Sequence, residues 1–289
     1  MITSDTGTAF DYNESWKGEL GMLGAIIGDI VGSRFEFDNV DTEGFEFLTE
    51  DCCFSDDSVM TMAIAEAILR WDQQGRPSYE RLSELAIKKM RDWGNSYPHA
   101  GYGGHFKRWL RDPSMGPYGS CGNGAAMRIS PVGWAARSLE ECIAMSRAVT
   151  EVTHNHPDGI KGAEATAVQI FLARHGMGLG DLKKYEEEHY YSIDYDLAWL
   201  LENYCWHSLC DGTCQPAYEC LYESLSYEEA IRNCMRIGGD CDTTGAICGG
   251  IAEAVWGIPE EIENKVYSYL DEVQIALIDV FRAEYCRLN

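Results

Sequence analysis

Apolar residues along this chain recur with helical period, and runs with strand-like alternation are nearly absent. Between Ser58 and Trp71, the positions Val59, Met60, Ala63, Ile64, Ala67 and Ile68 form an i, i+4 stripe. Gly75-Arg76-Pro77-Ser78 interrupts it, and Ser78 is placed to N-cap a second amphipathic helix that runs to Trp93. The same spacing predicts helices over 139–149, 162–175, 197–204, 217–225, 227–237, 245–256, 260–269 and 272–285. Ser226-Tyr227-Glu228-Glu229 reads as a capping-box start. Small residues at 21, 24, 25, 28 and 32 make one face of a further helix that can approach a neighbour very closely. The pattern predicts an all-α fold: one compact domain of orthogonally packed helices over 21–289, with at most a short hairpin. Residues 1–20 are polar and acidic and read as an extension.

Glycine-rich stretches separate these helices, and loops on a rigid scaffold are where sites are usually built. Two acidic, hydroxyl-bearing clusters, Ser55-Asp56-Asp57-Ser58 and Asp240-Cys241-Asp242-Thr243, each open an apolar helix. Alone, either reads as a helix cap, because acids there meet unpaired N–H groups and the positive end of the dipole. Together they make an all-oxygen donor set, which suits Mg²⁺, Mn²⁺ or Ca²⁺. Gly238, Gly239, Gly245, Gly249 and Gly250 flank the second cluster. Each glycine within a helix costs about 1 kcal/mol relative to Ala, which points to close backbone approach by a helix or a ligand.

Gly119-Ser120-Cys121-Gly122-Asn123-Gly124 is either an anion cradle of backbone N–H groups or a tight turn. A lone histidine is usually a hydrogen-bonded structural residue; His154 and His156, flanking Asn155 beside a proline turn and before a helix, make a site a stronger reading than a lone histidine would. Tyr102, in Tyr97 to Gly104, offers a ring for a purine to stack on or simply turns the chain. Glu36 follows the small-residue helix in a loop.

Charge and composition narrow the partners. With 47 acids against 23 bases and a net charge of −24, the chain offers no basic nucleic-acid-binding surface. No apolar run reaches membrane-spanning length, and the first residues lack the basic and apolar regions of a signal peptide, so a cytoplasmic protein is expected. Twelve cysteines then read as reduced, buried hydrophobes. Cys205, His207, Cys210, Cys214 and Cys220 lack the paired knuckle of a zinc site, and the cysteines are placed on helix faces lining the core.

Five motifs occur in order: Gly28 to Glu36, Ser55 to Asp57, Gly122 to Arg128, Thr153-His154, and Gly238 to Gly245. That set resembles the ADP-ribosylglycohydrolase family from about Met22 to about Trp256. The resemblance implies a cleft with a binuclear Mg²⁺ or Mn²⁺ centre and cleavage of the glycosidic bond between ADP-ribose and an acceptor. It implies metal ligands at Ser55, Asp56, Asp57, Asp240, Asp242 and Thr243, with Asp242 bridging. It further implies diphosphate contacts from Gly119, Ser120, Cys121, Gly122, Asn123 and Gly124, and a substrate contact from His154. Glu36 corresponds to a family glutamate on a mobile loop near the scissile bond. The base toward water is one of Glu36, Asp240 and Asp242, and a monomer is expected. A non-catalytic ADP-ribose binder, a crystallin-like structural protein and a phosphate-ester hydrolase are the competing readings.

Overall fold

The computed structural model describes residues 21–37 and 44–285; the extension read over 1–20 lies outside them. Among these residues fourteen α-helices follow one another without a strand: α1 Leu23–Gly32, α2 Asp56–Gln73, α3 Tyr79–Ser96, α4 Gly104–Arg111, α5 Ser130–Ala135, α6 Leu139–Thr150, α7 Pro157–Arg174, α8 Leu179–His189, α9 Leu197–Asn203, α10 Cys210–Tyr222, α11 Tyr227–Ile237, α12 Cys241–Trp256, α13 Glu260–Val266 and α14 Glu272–Tyr285. No hairpin forms among them; one isolated bridge pairs Gly122 with Leu209.

The core is organised on α1 and α12. All ten residues of α1 are buried, and α12 is buried from Cys241 to Glu253. Helices apolar on every side belong at the centre of a fold. They cross antiparallel along a seam of glycines. A Cβ built at Gly28 would stand 1.9 Å from the Gly245 carbonyl oxygen, and one at Gly24 would stand 2.3 Å from that of Gly249. Gly245 and Gly249, beyond the second acidic cluster, therefore admit a neighbouring helix. Glu253 closes one end of the seam by accepting hydrogen bonds from the Gly21 and Gly24 N–H groups at 2.6 and 2.8 Å.

Around this pair, α2 packs on α3, α7 on α5 and α6, and α10 and α11 on α12. Ser78 caps α3 through the Arg81 N–H at 3.3 Å. Ser226 caps α11 through the Glu229 N–H, while the Glu229 carboxylate returns to the Leu225 N–H at 2.8 Å, one residue before the usual capping-box position.

Three helices escape the periodicity reading. In α4 the apolar face is only Phe106, Trp109 and Leu110, set among Lys and Arg. α5 is six residues long and buried throughout, so it shows no stripe. α8 is mostly charged, with Leu182 and Glu186 as its buried residues. α10 begins at Cys210 rather than 217 because Pro216 sits inside it. Proline removes the N–H that would bond the Gly212 carbonyl, and that carbonyl instead accepts the Tyr204 hydroxyl at 3.0 Å. Cys210, Cys214 and Cys220 are buried on this helix, as expected, whereas Cys205 lies exposed in the loop before it and Cys53 is exposed ahead of α2.

Candidate active site

Because α1 and α12 run antiparallel, the C-terminal end of α1 meets the N-terminal end of α12. Gly238 and Gly239, at φ 76° and 77°, take the left-handed turn that sends the chain from α11 into α12. A Cβ at Gly239 would also stand 2.7 Å from the Tyr204 ring. Asp240 is thereby set at the N-cap of α12 and Asp242 in its first turn. The start of α2 joins them through Asp29 of α1. One Asp29 oxygen accepts the N–H groups of Ser55 and Ser58, each at 2.9 Å, together with the Ser58 hydroxyl. Asp29 thus caps α2 from another helix.

Five aspartates and Glu36 converge here. Asp29, Asp57 and Asp242 form one group, and Glu36, Asp240 and Asp242 a second; within each group ligand oxygens lie within 4.8 Å of one another. The two groups share Asp242. Asp56 stands on the cleft wall beside them, and Thr243 lines the same floor. Ser55 adjoins the cluster: its hydroxyl caps α2 by accepting the Asp57 N–H at 3.2 Å and lies 3.3 Å from Asp57 Oδ2, to which it donates.

The electrostatics are unfavourable without a counter-charge. Burial, then repulsion from Asp242 and Asp29, pushes Asp56 up to about 8 and Glu36 up to about 7. Burial also lifts Asp240 to about 6, although Asn123 Nδ2 donates to it at 2.6 Å. Burial and neighbouring carboxylates raise Asp57 and Asp242 well above the usual range. Asp29 Oδ1 and Asp57 Oδ1 are buried with no hydrogen-bond partner. An unpaired buried carboxylate oxygen costs several kcal/mol. These orphaned oxygens, within an all-oxygen set, fit hard divalent cations. Both candidate metal groups among the described residues consist of carboxylates alone.

Above the floor opens a cleft of about 550 Å³. One wall is the loop from Gly119 to Gly124, which runs into a 3₁₀ turn at Asn123–Ala125. Three of its N–H groups are spent internally: Gly119 on Asn155 Oδ1 at 2.7 Å, Gly122 on Ser120 Oγ at 3.1 Å, and Asn123 on the Ser208 carbonyl at 2.9 Å. Those of Ser120 and Cys121 stand outside these bonds. His154 lines the same wall, whereas His156 caps α7 through the Asp158 N–H and faces solvent. Tyr102 is buried behind the wall against Phe106 at 5.8 Å, with its hydroxyl unpartnered. The rings that reach the cleft are those of His105, Phe106, Tyr118, His154 and Trp206.

Two cleft residues escaped assignment in the sequence. Asp29 is the lone acid in an otherwise apolar ten-residue helix, which is itself a signal. Arg128 is a fully buried cation that also lines the cleft, and its signal is a charge inside an apolar run.

A family model, ADP-ribosylglycohydrolase, matches residues 18–286. The chain belongs to the ADP-ribosylglycohydrolase family. It is 24% identical to the ADP-ribosylarginine hydrolase Tri1 of Pseudomonas putida (strain GB-1), over 86% of this chain and 73% of that protein. Identity to the ADP-ribosyl-[dinitrogen reductase] glycohydrolase of Rhodospirillum rubrum is 25%, over 86% and 88%. To the ADP-ribosylhydrolase ARH3 of Homo sapiens it is 27%, over 54% of this chain and 49% of that one, so the match spans about half of that relative. A solved ADP-ribosylglycohydrolase-related protein complex shares the fold, with a TM-score of 0.66 at 21% identity over 92% of this chain and 96% of that one. No described helix of this family member is long and apolar enough to cross a membrane.

Proposed function

We propose that this protein hydrolyses the glycosidic bond between ADP-ribose and an acceptor, with two divalent cations, Mg²⁺ or Mn²⁺, held at the carboxylate floor. One observation carries the reading: two carboxylate groups sharing Asp242 form the floor of a cleft whose wall is the Gly119–Gly124 loop. Asp29, Asp56, Asp57, Asp240, Asp242 and Thr243 are the residues that would hold the ions. When bound, such ions polarise hydroxyl and water oxygens. The chain does the rest. The glycine loop and His154 receive the anionic diphosphate, and Tyr118 and Trp206 offer faces for the base. The ribose end then points at the floor. Asp240 is engaged by Asn123 and Asp242 by the Thr243 N–H at 2.9 Å. Among the described residues Glu36 carries no hydrogen bond and is half-exposed at the cleft, which makes it the base of choice for the attacking water.

The names of the relatives specify arginine or dinitrogen reductase as acceptors for those proteins; for this chain the acceptor is a matter for assay. ADP-ribose release from arginine-, serine- and DNA-linked substrates, with Mg²⁺ and with chelator, tests the reading. Metal-dependent release from one of them is expected. Binding of ADP-ribose without release from any would replace it by a binding role, and release of inorganic phosphate by an esterase.

A further inference from the structure

Arg128 is the least expected side chain near the cleft: a guanidinium 1% exposed, whose polar contacts are Thr153 and His154 rather than a carboxylate. Its Nη2 donates to Thr153 Oγ1 at 2.8 Å and lies 3.5 Å from His154 Nδ1. The Phe106 ring packs against its charge at 5.7 Å. Thr153 Oγ1 in turn stands 2.8 Å from His154 Nδ1.

The donor inventory favours one arrangement of the protons. Arginine has five N–H donors and no acceptor. Thr153 Oγ1 therefore accepts from Arg128, and its single hydrogen is free to be donated to His154 Nδ1. A proton on Nδ1 would face the hydrogens of Arg128 as well. Nδ1 is thus an acceptor, and the imidazole hydrogen resides on Nε2. Burial and the neighbouring Arg128 charge both disfavour a second proton, holding the imidazole neutral. Nε2 faces the glycine loop: a Cβ at Gly124 would stand 3.3 Å from it and one at Gly122 3.6 Å. The Tyr118 ring covers the imidazole at 6.0 Å.

We infer that Arg128 and Thr153 are positioning residues that lock His154 as its Nε2–H tautomer, so that it donates an uncharged hydrogen bond to a diphosphate oxygen seated at Gly122 to Gly124. The donor half of this inference rests on the reading of the cleft as an ADP-ribose site; the tautomer half does not. A fixed neutral donor discriminates by geometry and adds no charge that must be desolvated.

The test is a ring ¹H–¹⁵N spectrum of the ligand-free full-length protein labelled at its seven histidines, with His154 assigned by His154→Gln. The wild type is expected to show Nε2–H and acceptor Nδ1, unchanged from pH 5.5 to 8. Thr153→Val, nearly isosteric, is expected to release the tautomer. It should weaken ADP-ribose about tenfold while weakening adenosine much less. Arg128→Lys, which keeps a charge but loses the fork, should fall between wild type and Thr153→Val. An Nδ1–H form, or titration near the ordinary imidazole value, overturns the inference whatever the protein binds. A fixed tautomer with unchanged ADP-ribose affinity in Thr153→Val overturns the donor role. A wild type with the tautomer intact that binds no ADP-ribose overturns the cleft reading and the donor role together, and leaves the lock standing.

Discussion

The two ends of the α1–α12 pair both bury carboxylates, and they treat them in opposite ways. At one end each oxygen of Glu253 accepts a backbone N–H, from Gly21 and Gly24. At the other, Asp29 and Asp57 each keep a buried oxygen with no partner, beside Asp56, Asp240, Asp242 and Glu36. Burial of acid is common to both, so it does not mark a site. Satisfaction does: a matched carboxylate holds helices, whereas a crowd of unmatched ones calls for a ligand. The glycine seam between the ends connects the two, because a backbone-to-backbone crossing fixes the spacing at which the unmatched acids stand.

The largest effect is expected at the unmatched end. Asp242→Asn should lower kcat/KM for ADP-ribose release by about 10³-fold or more. The same change should stabilise the chelated protein, by about 1 kcal/mol, because it removes a like charge from the cluster. Loss of stability together with retained turnover would reverse the comparison. Next is the seam: Gly28→Ala places a methyl 1.9 Å from the Gly245 carbonyl oxygen. A cost of about 3 kcal/mol in denaturant unfolding is expected, and a change under about 0.5 kcal/mol would mean that the helices are not in contact. Third, Mg²⁺ or Mn²⁺ at a hundredfold over its dissociation constant should stabilise the wild type by about 2.7 kcal/mol for each site filled. Asp242→Asn should lose that increment in a thermal melt, and Glu253→Gln should keep it. The smallest effect belongs to the matched end: Glu253→Gln exchanges one acceptor for a donor facing an N–H, at about 1–2 kcal/mol, with metal response preserved.

Much of this was legible because it repeats or punctuates. The stripes of α2, α3, α6 and α11, the serine caps and the two acidic clusters all follow local rules, and the structure brings both clusters to one floor. The family model bears out the resemblance drawn from five ordered motifs. What stayed hidden depends on contacts between distant segments. Asp29 joins the cluster only because Ser55 and Ser58 come to it. The glycines at 245 and 249 could have faced a ligand or a helix until Gly24 and Gly28 were seen against them. Tyr102 looked available for stacking, yet α4, too short and too charged to show a stripe, buries it behind the wall. The start of α10 was hidden by Pro216, whose broken hydrogen bond is mended by a tyrosine from another turn of the chain.

The seam also sets a schedule. Gly24 and the Glu253 that caps its helix lie 229 positions apart. During synthesis α1 emerges before α12, with no polar face to turn toward water. It waits for the residues between before α12 can cover it. So non-local a pairing folds slowly and leaves an adhesive segment open in the interval.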